Sequence, residues 1–90
     1  VYIMVSKAVK ITNETGFHMR PANTFVTAMT KYQSDINLKV NDKVVNGKSI
    51  MNIMAACIKC GSEIIVECDG PDEGAMLGAA VSLIESGFGE

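Results

Sequence analysis

The chain has 90 residues, 48% of them hydrophobic and 20% charged, with 8 Lys+Arg against 10 Asp+Glu and a formal net charge of −2. That length allows one hydrophobic core, and that composition folds rather than staying disordered. The slight acidic excess argues against a nucleic-acid binder, which needs clustered positive charge, and no apolar run approaches the roughly 20 residues of a membrane span.

Val1 is not an initiator and Met4 is a candidate one, so residues 1–3 are set aside and a single domain is expected over 4–90. No basic segment leads into a long apolar one, so no secretory leader is expected. Residues 5–12 read as a half-buried strand, with Val5, Val9 and Ile11 on one parity and Ser6, Lys10 and Thr12 on the other. Asn13-Glu14-Thr15-Gly16 is a turn signal. A helix is expected over 21–31, where Pro21 suits a first turn and Ala22, Phe25, Val26 and Met29 recur at three and four. Ser34-Asp35 ends it. Residues 36–40 alternate strictly, and Asn41-Asp42-Lys43 turns this strand back into Val44-Val45 as a hairpin.

Ser49 is a plausible N-cap for a second helix over 50–58, in which Ile53 and Cys57 are expected to face the sheet. Gly61-Ser62 closes that segment, and 63–69 is the last strand. Gly70-Pro71-Asp72 is a turn and cap for a final helix over 73–85, with Ala75, Met76, Ala79, Ala80, Leu83 and Ile84 on one face. The order is β-α-β-β-α-β-α. Each strand has one apolar parity, and three amphipathic helices need a partner. The fold expected is α+β, a two-layer open-faced sandwich with four antiparallel strands and all three helices on one face.

Three cysteines occur, Cys57, Cys60 and Cys68. An odd count with no leader predicts a reducing compartment and no disulfide framework. Cys57 and Cys60 form a C-x-x-C, which is half a zinc site or a redox pair in some proteins. No second such pair exists, and the one histidine is distant in sequence. The plainer reading makes Cys57 a small apolar filler and Cys60 a loop residue.

The informative stretch is Gly16-Phe17-His18-Met19-Arg20-Pro21-Ala22. His18 falls on the turn into the first helix, where unpaired backbone N–H groups and the positive end of the macrodipole suit a phosphoryl group. Neutral imidazole is the nucleophilic form, and Arg20 offers a permanent positive charge to transferring oxygens. Gly16 permits the tight turn. Spacing alone favours the plainer reading, a solvated or capping histidine.

Three segments together resemble the HPr family, the histidine-containing phosphocarriers of the bacterial sugar phosphotransferase system. They are Glu14 to Ala22, Ser34-Asp35-Ile36-Asn37-Leu38, and Val45 to Met54 followed by Gly61-Ser62. The resemblance implies strand order 1-4-2-3. It implies that His18 carries the phosphoryl group through Nδ1, that Arg20 assists, and that Met19 and Pro21 open the supporting helix. The donor would be phosphorylated enzyme I, charged from phosphoenolpyruvate, and the acceptor the IIA component of a sugar permease. Such a protein is a covalent carrier rather than an enzyme. It needs no metal or cofactor, works in the cytoplasm, touches neither membrane nor nucleic acid, and is a compact monomer by default.

Ser49 then has a second role beside capping, as a regulatory site for an ATP-dependent serine kinase/phosphorylase. Ile50, Met51 and Met54 would form an apolar patch for partner docking, with flexible methionine suiting several partners. An alternative reading makes the Ser49-phosphorylated chain a regulatory binding module, the corepressor of a catabolite-control transcription factor. Phe17 and Met19 depart from the smaller or aliphatic residues usual beside the histidine and are expected to make the rim of the site more apolar. Cys57 and Cys60 depart as well. His18, Arg20, Pro21 and Ser49 do not.

Overall fold

A computed structural model describes residues 5–12 and 16–89. The turn expected at Asn13-Glu14-Thr15 and the domain limits expected at Met4 and Glu90 lie outside the described residues. Among those described, four strands and three helices follow one another in the expected order: β1 Val5–Lys10, α1 Met19–Met29, β2 Asp35–Val40, β3 Lys43–Asn46, α2 Ile50–Ala55, β4 Glu63–Asp69 and α3 Glu73–Glu85.

The strands pair antiparallel in the order β1-β4-β2-β3. Register puts the apolar parity of each strand on one face. Val9 lies opposite Ile64, Leu38 lies between Val66 and Val45, and Ile36 lies opposite Cys68. All seven of these side chains are buried. A one-residue slip would turn the whole row to solvent, so the core fixes the register. Asn41, in the left-handed region at φ 56, makes the tight β2–β3 turn; asparagine tolerates that conformation better than most residues.

The helices cover that face. α3 packs on β1 and β4, while α1 touches α2 and α3. α1 buries Pro21, Ala22, Phe25, Val26 and Met29. It begins two residues before the expected start, because Pro21 occupies its third position rather than its first; the amides there have no intrahelical acceptor, so proline costs nothing. α3 spans the expected residues and buries Met76, Ala80, Val81 and Ile84. Ala75, expected on the inner face, is exposed, and Val81 takes its place in the core.

α2 ends at Ala55, three residues short of expectation. Cys57 adopts φ 53 and turns the chain out of the helix, so that Ile58 enters the core in its stead. Cys57 is therefore exposed, not an apolar filler facing the sheet, whereas Ile53 is fully buried as expected.

The link before β2 is tied to the start of α3. The Asp72 carboxylate accepts from Gln33 N–H at 3.0 Å, from Ser34 N–H at 2.9 Å and from the Ser34 hydroxyl. Asp72 N–H donates in turn to Ser34 Oγ at 3.1 Å. Ser34 is buried, and these bonds satisfy it. Gly70 is needed beside it: at φ 152, a Cβ would lie 2.5 Å from Ser34 Oγ.

Candidate functional site

His18 is the last residue before α1, with extended backbone at φ −80 and ψ −175. Its carbonyl accepts the first bond of the helix, from Ala22 N–H at 2.8 Å. Its imidazole makes no capping bond and is exposed. The next two residues, Met19 and Arg20, are the first two helical positions, where amides have no intrahelical acceptor. Pro21 has no amide and Ala22 has spent its own, so the open donors of this helix start are the amides of Met19 and Arg20. The expected cluster of N–H groups beside the ring is thus a pair. The side chains of Met19 and Arg20 are exposed, and Arg20 has no ion-pair partner among the described residues.

The turn that presents His18 is anchored from below. Phe17 N–H donates to the Ile58 carbonyl at 2.9 Å. Phe17 itself is 3% exposed, with its ring edge-on to Phe25 at 5.3 Å and 4.6 Å from Phe88. It is an anchor in the core rather than part of an apolar rim, which corrects the expectation for this residue; Met19, 66% exposed, does lie at the surface. Gly16 lies at φ 66 against the same segment, where a Cβ would stand 2.7 Å from the Ile58 carbonyl and 3.0 Å from Cys60 N. Only glycine fits both the conformation and the space.

Phe88 was not foreseen as part of this support. It belongs to a short 3-10 turn, Gly87–Gly89, beyond α3, and is 4% exposed. A phenylalanine between two glycines near the chain end carries no periodicity, so no sequence signal marks it as core.

Ser49 caps α2: its hydroxyl accepts from Asn52 N–H at 3.3 Å. Ile50 and Met54 are half-buried against the core, while Met51 is 82% exposed. His18 and Met54 line the same cleft of about 560 Å³, together with Cys57, Lys59 and Cys60. The helix that carries Ser49 thus adjoins the histidine. The structure brings together His18, Met19, Arg20 and Pro21 at one helix start, and Met54 across the cleft. Ser49 stands at the other helix's start, with Ile50 and Met51 in the turn that follows it.

Cys57, Cys60 and Cys68 are free thiols; the first two are exposed and the third buried. Burial first, then the charges of Glu73 and Asp72, push the Cys68 thiol up to about 11, so it stays protonated. Among the described residues no three His, Cys, Asp or Glu side chains are grouped to hold a metal ion, and no helix is long and apolar enough to cross a membrane.

Residues 5–86 match the protein family described as the PTS HPr component phosphorylation site. The chain is 42% identical over 87 residues to the phosphocarrier protein HPr of Treponema pallidum, covering 97% of this chain and 99% of that one. Among solved structures, HPr-C-His from Thermoanaerobacter tengcongensis superposes with a TM-score of 0.92 at 41% identity, over 96% of this chain and 97% of that one. Crh, the catabolite repression containing protein of Bacillus subtilis, superposes with a TM-score of 0.76 at 31% identity, over 92% and 95% of the two chains.

Proposed function

The chain belongs to the PTS HPr phosphocarrier family, and on that premise we propose that His18 is the residue that takes up and hands on the phosphoryl group. The observation that carries this reading is the exposed imidazole of His18, without a hydrogen bond among the described residues, beside the open amides of Met19 and Arg20. A ring nitrogen attacks the phosphorus held by enzyme I; the new N–P bond forms as the donor's bond to phosphorus breaks. Negative charge spread over the three transferring oxygens meets the two amides, the positive helix end and the Arg20 guanidinium. The same geometry run in reverse releases the group to the IIA component of a sugar permease. Little more than positioning is needed, because the N–P bond preserves the transfer potential. The partners supply the rest, so the chain is a relay in the cytoplasm rather than a self-sufficient catalyst, and it works as a monomer.

Ser49 is the regulatory position in this reading. A phosphate placed on its hydroxyl by a serine kinase/phosphorylase would sit at the start of α2 and leave the fold intact. It would add negative charge beside Ile50, Met51 and Met54, the proposed docking patch, and repel partners that present acidic groups. Likeness to Crh favours a second, compatible role: the Ser49-phosphorylated chain as corepressor of a catabolite-control transcription factor.

Incubation with phosphoenolpyruvate and enzyme I tests the carrier reading. Wild type is expected to gain an acid-labile phosphate and the His18→Ala variant none. An unlabelled wild type, or a labelled His18→Ala, would end it. For the second role, a transcription factor that binds the unphosphorylated chain as tightly as the Ser49-phosphorylated one would exclude it.

A further inference from the structure

Two exposed thiols three residues apart, Cys57 and Cys60, line the cleft that His18 also lines, and neither has a part in the transfer described above. Among the described residues Cys60 Sγ–H makes one weak bond, 3.8 Å to the Thr12 carbonyl. Cys57 has no side-chain bond among the described residues, and Lys59 lines the same cleft. Between the two cysteines the backbone is irregular, free of helix or strand. That short segment is also the seat of the histidine turn: the Ile58 carbonyl holds Phe17 N–H at 2.9 Å, and Gly16 rests on Ile58, Lys59 and Cys60 with no space for a Cβ.

We propose that Cys57 and Cys60 are a dithiol that a low-molecular-weight disulfide oxidises to an intrachain disulfide, and that the closed form takes up phosphate at His18 more slowly. The second half rests on the reading of His18 given above. The Cys57 thiolate attacks one sulfur of the reagent; a mixed disulfide forms, the reagent's S–S bond breaks, and the departing thiolate takes the proton that Cys57 gave up. The Cys60 thiolate then attacks the Cys57 sulfur, and the second reagent thiolate leaves and takes the Cys60 proton. Two electrons pass from the cysteines to the reagent, and one disulfide becomes two thiols. The new bond brackets Ile58 and Lys59 and so resets the seat on which Gly16 and Phe17 lie. A displacement of the nucleophile by a fraction of an ångström is enough to slow transfer on the order of tenfold.

The full chain is incubated with oxidised glutathione, the reagent removed, and the product divided. Mass spectrometry is expected to show the loss of two hydrogens, with Cys57 and Cys60 refractory to iodoacetamide until reduced. A Cys60→Ser variant is expected to hold a glutathione adduct on Cys57 instead. Phosphoryl uptake from phosphoenolpyruvate and enzyme I is expected to be about tenfold slower for oxidised than for reduced wild type and restored by dithiothreitol. For the double variant Cys57→Ser, Cys60→Ser the two rates should be equal. A persistent adduct without ring closure in wild type, or equal rates in its two redox forms, would overturn the proposal. A reduced chain that takes no phosphate would defeat the His18 reading and the rate effect with it, while the mass still decides whether the disulfide forms.

Discussion

Gly16 shows how a single residue sets the site. Its left-handed backbone and its contact with the Ile58 carbonyl leave no place for a side chain. Gly16→Ala combines a disfavoured conformation with a backbone clash and is expected to cost about 2–4 kcal/mol. Urea denaturation measures this, and an unchanged midpoint would refute the packing argument. His18→Ala, by contrast, removes an exposed ring that makes no hydrogen bond among the described residues, and should leave the midpoint within about 0.5 kcal/mol of wild type. Gly16 and His18 were legible in the sequence because a glycine before a helix start and the one histidine are conspicuous. Phe17 was not: a turn has no parity, and nothing in its neighbours says that its ring faces Phe25 and Phe88. Cys57 was misread for a related reason. A left-handed helix exit at a residue other than glycine leaves no mark in the sequence.

Elements bounded by strong punctuation were read to the residue. β4 and α3 lie between Gly61-Ser62, Gly70-Pro71-Asp72 and Ser86-Gly87, and their limits agree with expectation. The α1 start slipped by two because proline is tolerated throughout a first turn, and the α2 end slipped because Ile58 continues an apolar pattern after the helix has stopped. The α2 cap gives a prediction of its own. Ser49→Ala removes the acceptor for Asn52 N–H and should cost about 1 kcal/mol, whereas Ser49→Asp keeps an acceptor there and should cost less. In phosphoryl transfer the order reverses: Ser49→Asp is expected to be the slower of the two, and equality with wild type would contradict the regulatory role.

The tie between α3 and the segment before β2 predicts an acid dependence. The Ser34 hydroxyl first, and then Gln33 N–H, hold the Asp72 carboxyl below its ordinary value of 3.8. A group whose pKa is lowered on folding binds its proton more readily in the unfolded chain. Its stabilisation is complete above the ordinary value and is lost as the pH falls through the folded one. Thermal unfolding followed from pH 6 to pH 2 should therefore show a steeper acid loss for wild type than for Asp72→Asn. Parallel curves would mean that this carboxylate does not hold α3 in place.

At the scale of the whole molecule, the sheet order and the single helical layer set the start of α1, at His18, along one cleft with the last turn of α2, at Met54. Fold class and strand order were accessible from alternation, segment order and resemblance; the phenylalanine cluster that stiffens the site depends on long-range packing and was not. A ring nitrogen at an N-cap has a definite orientation problem to solve. Likeness to the HPr family implies Nδ1 as the site of the N–P bond. The most direct test is nitrogen-15 NMR of the imidazole after charging with phosphoenolpyruvate and enzyme I. Phosphorus coupled to Nδ1 of His18 is the result expected. Phosphorus on Nε2, or on any other side chain, would contradict the account.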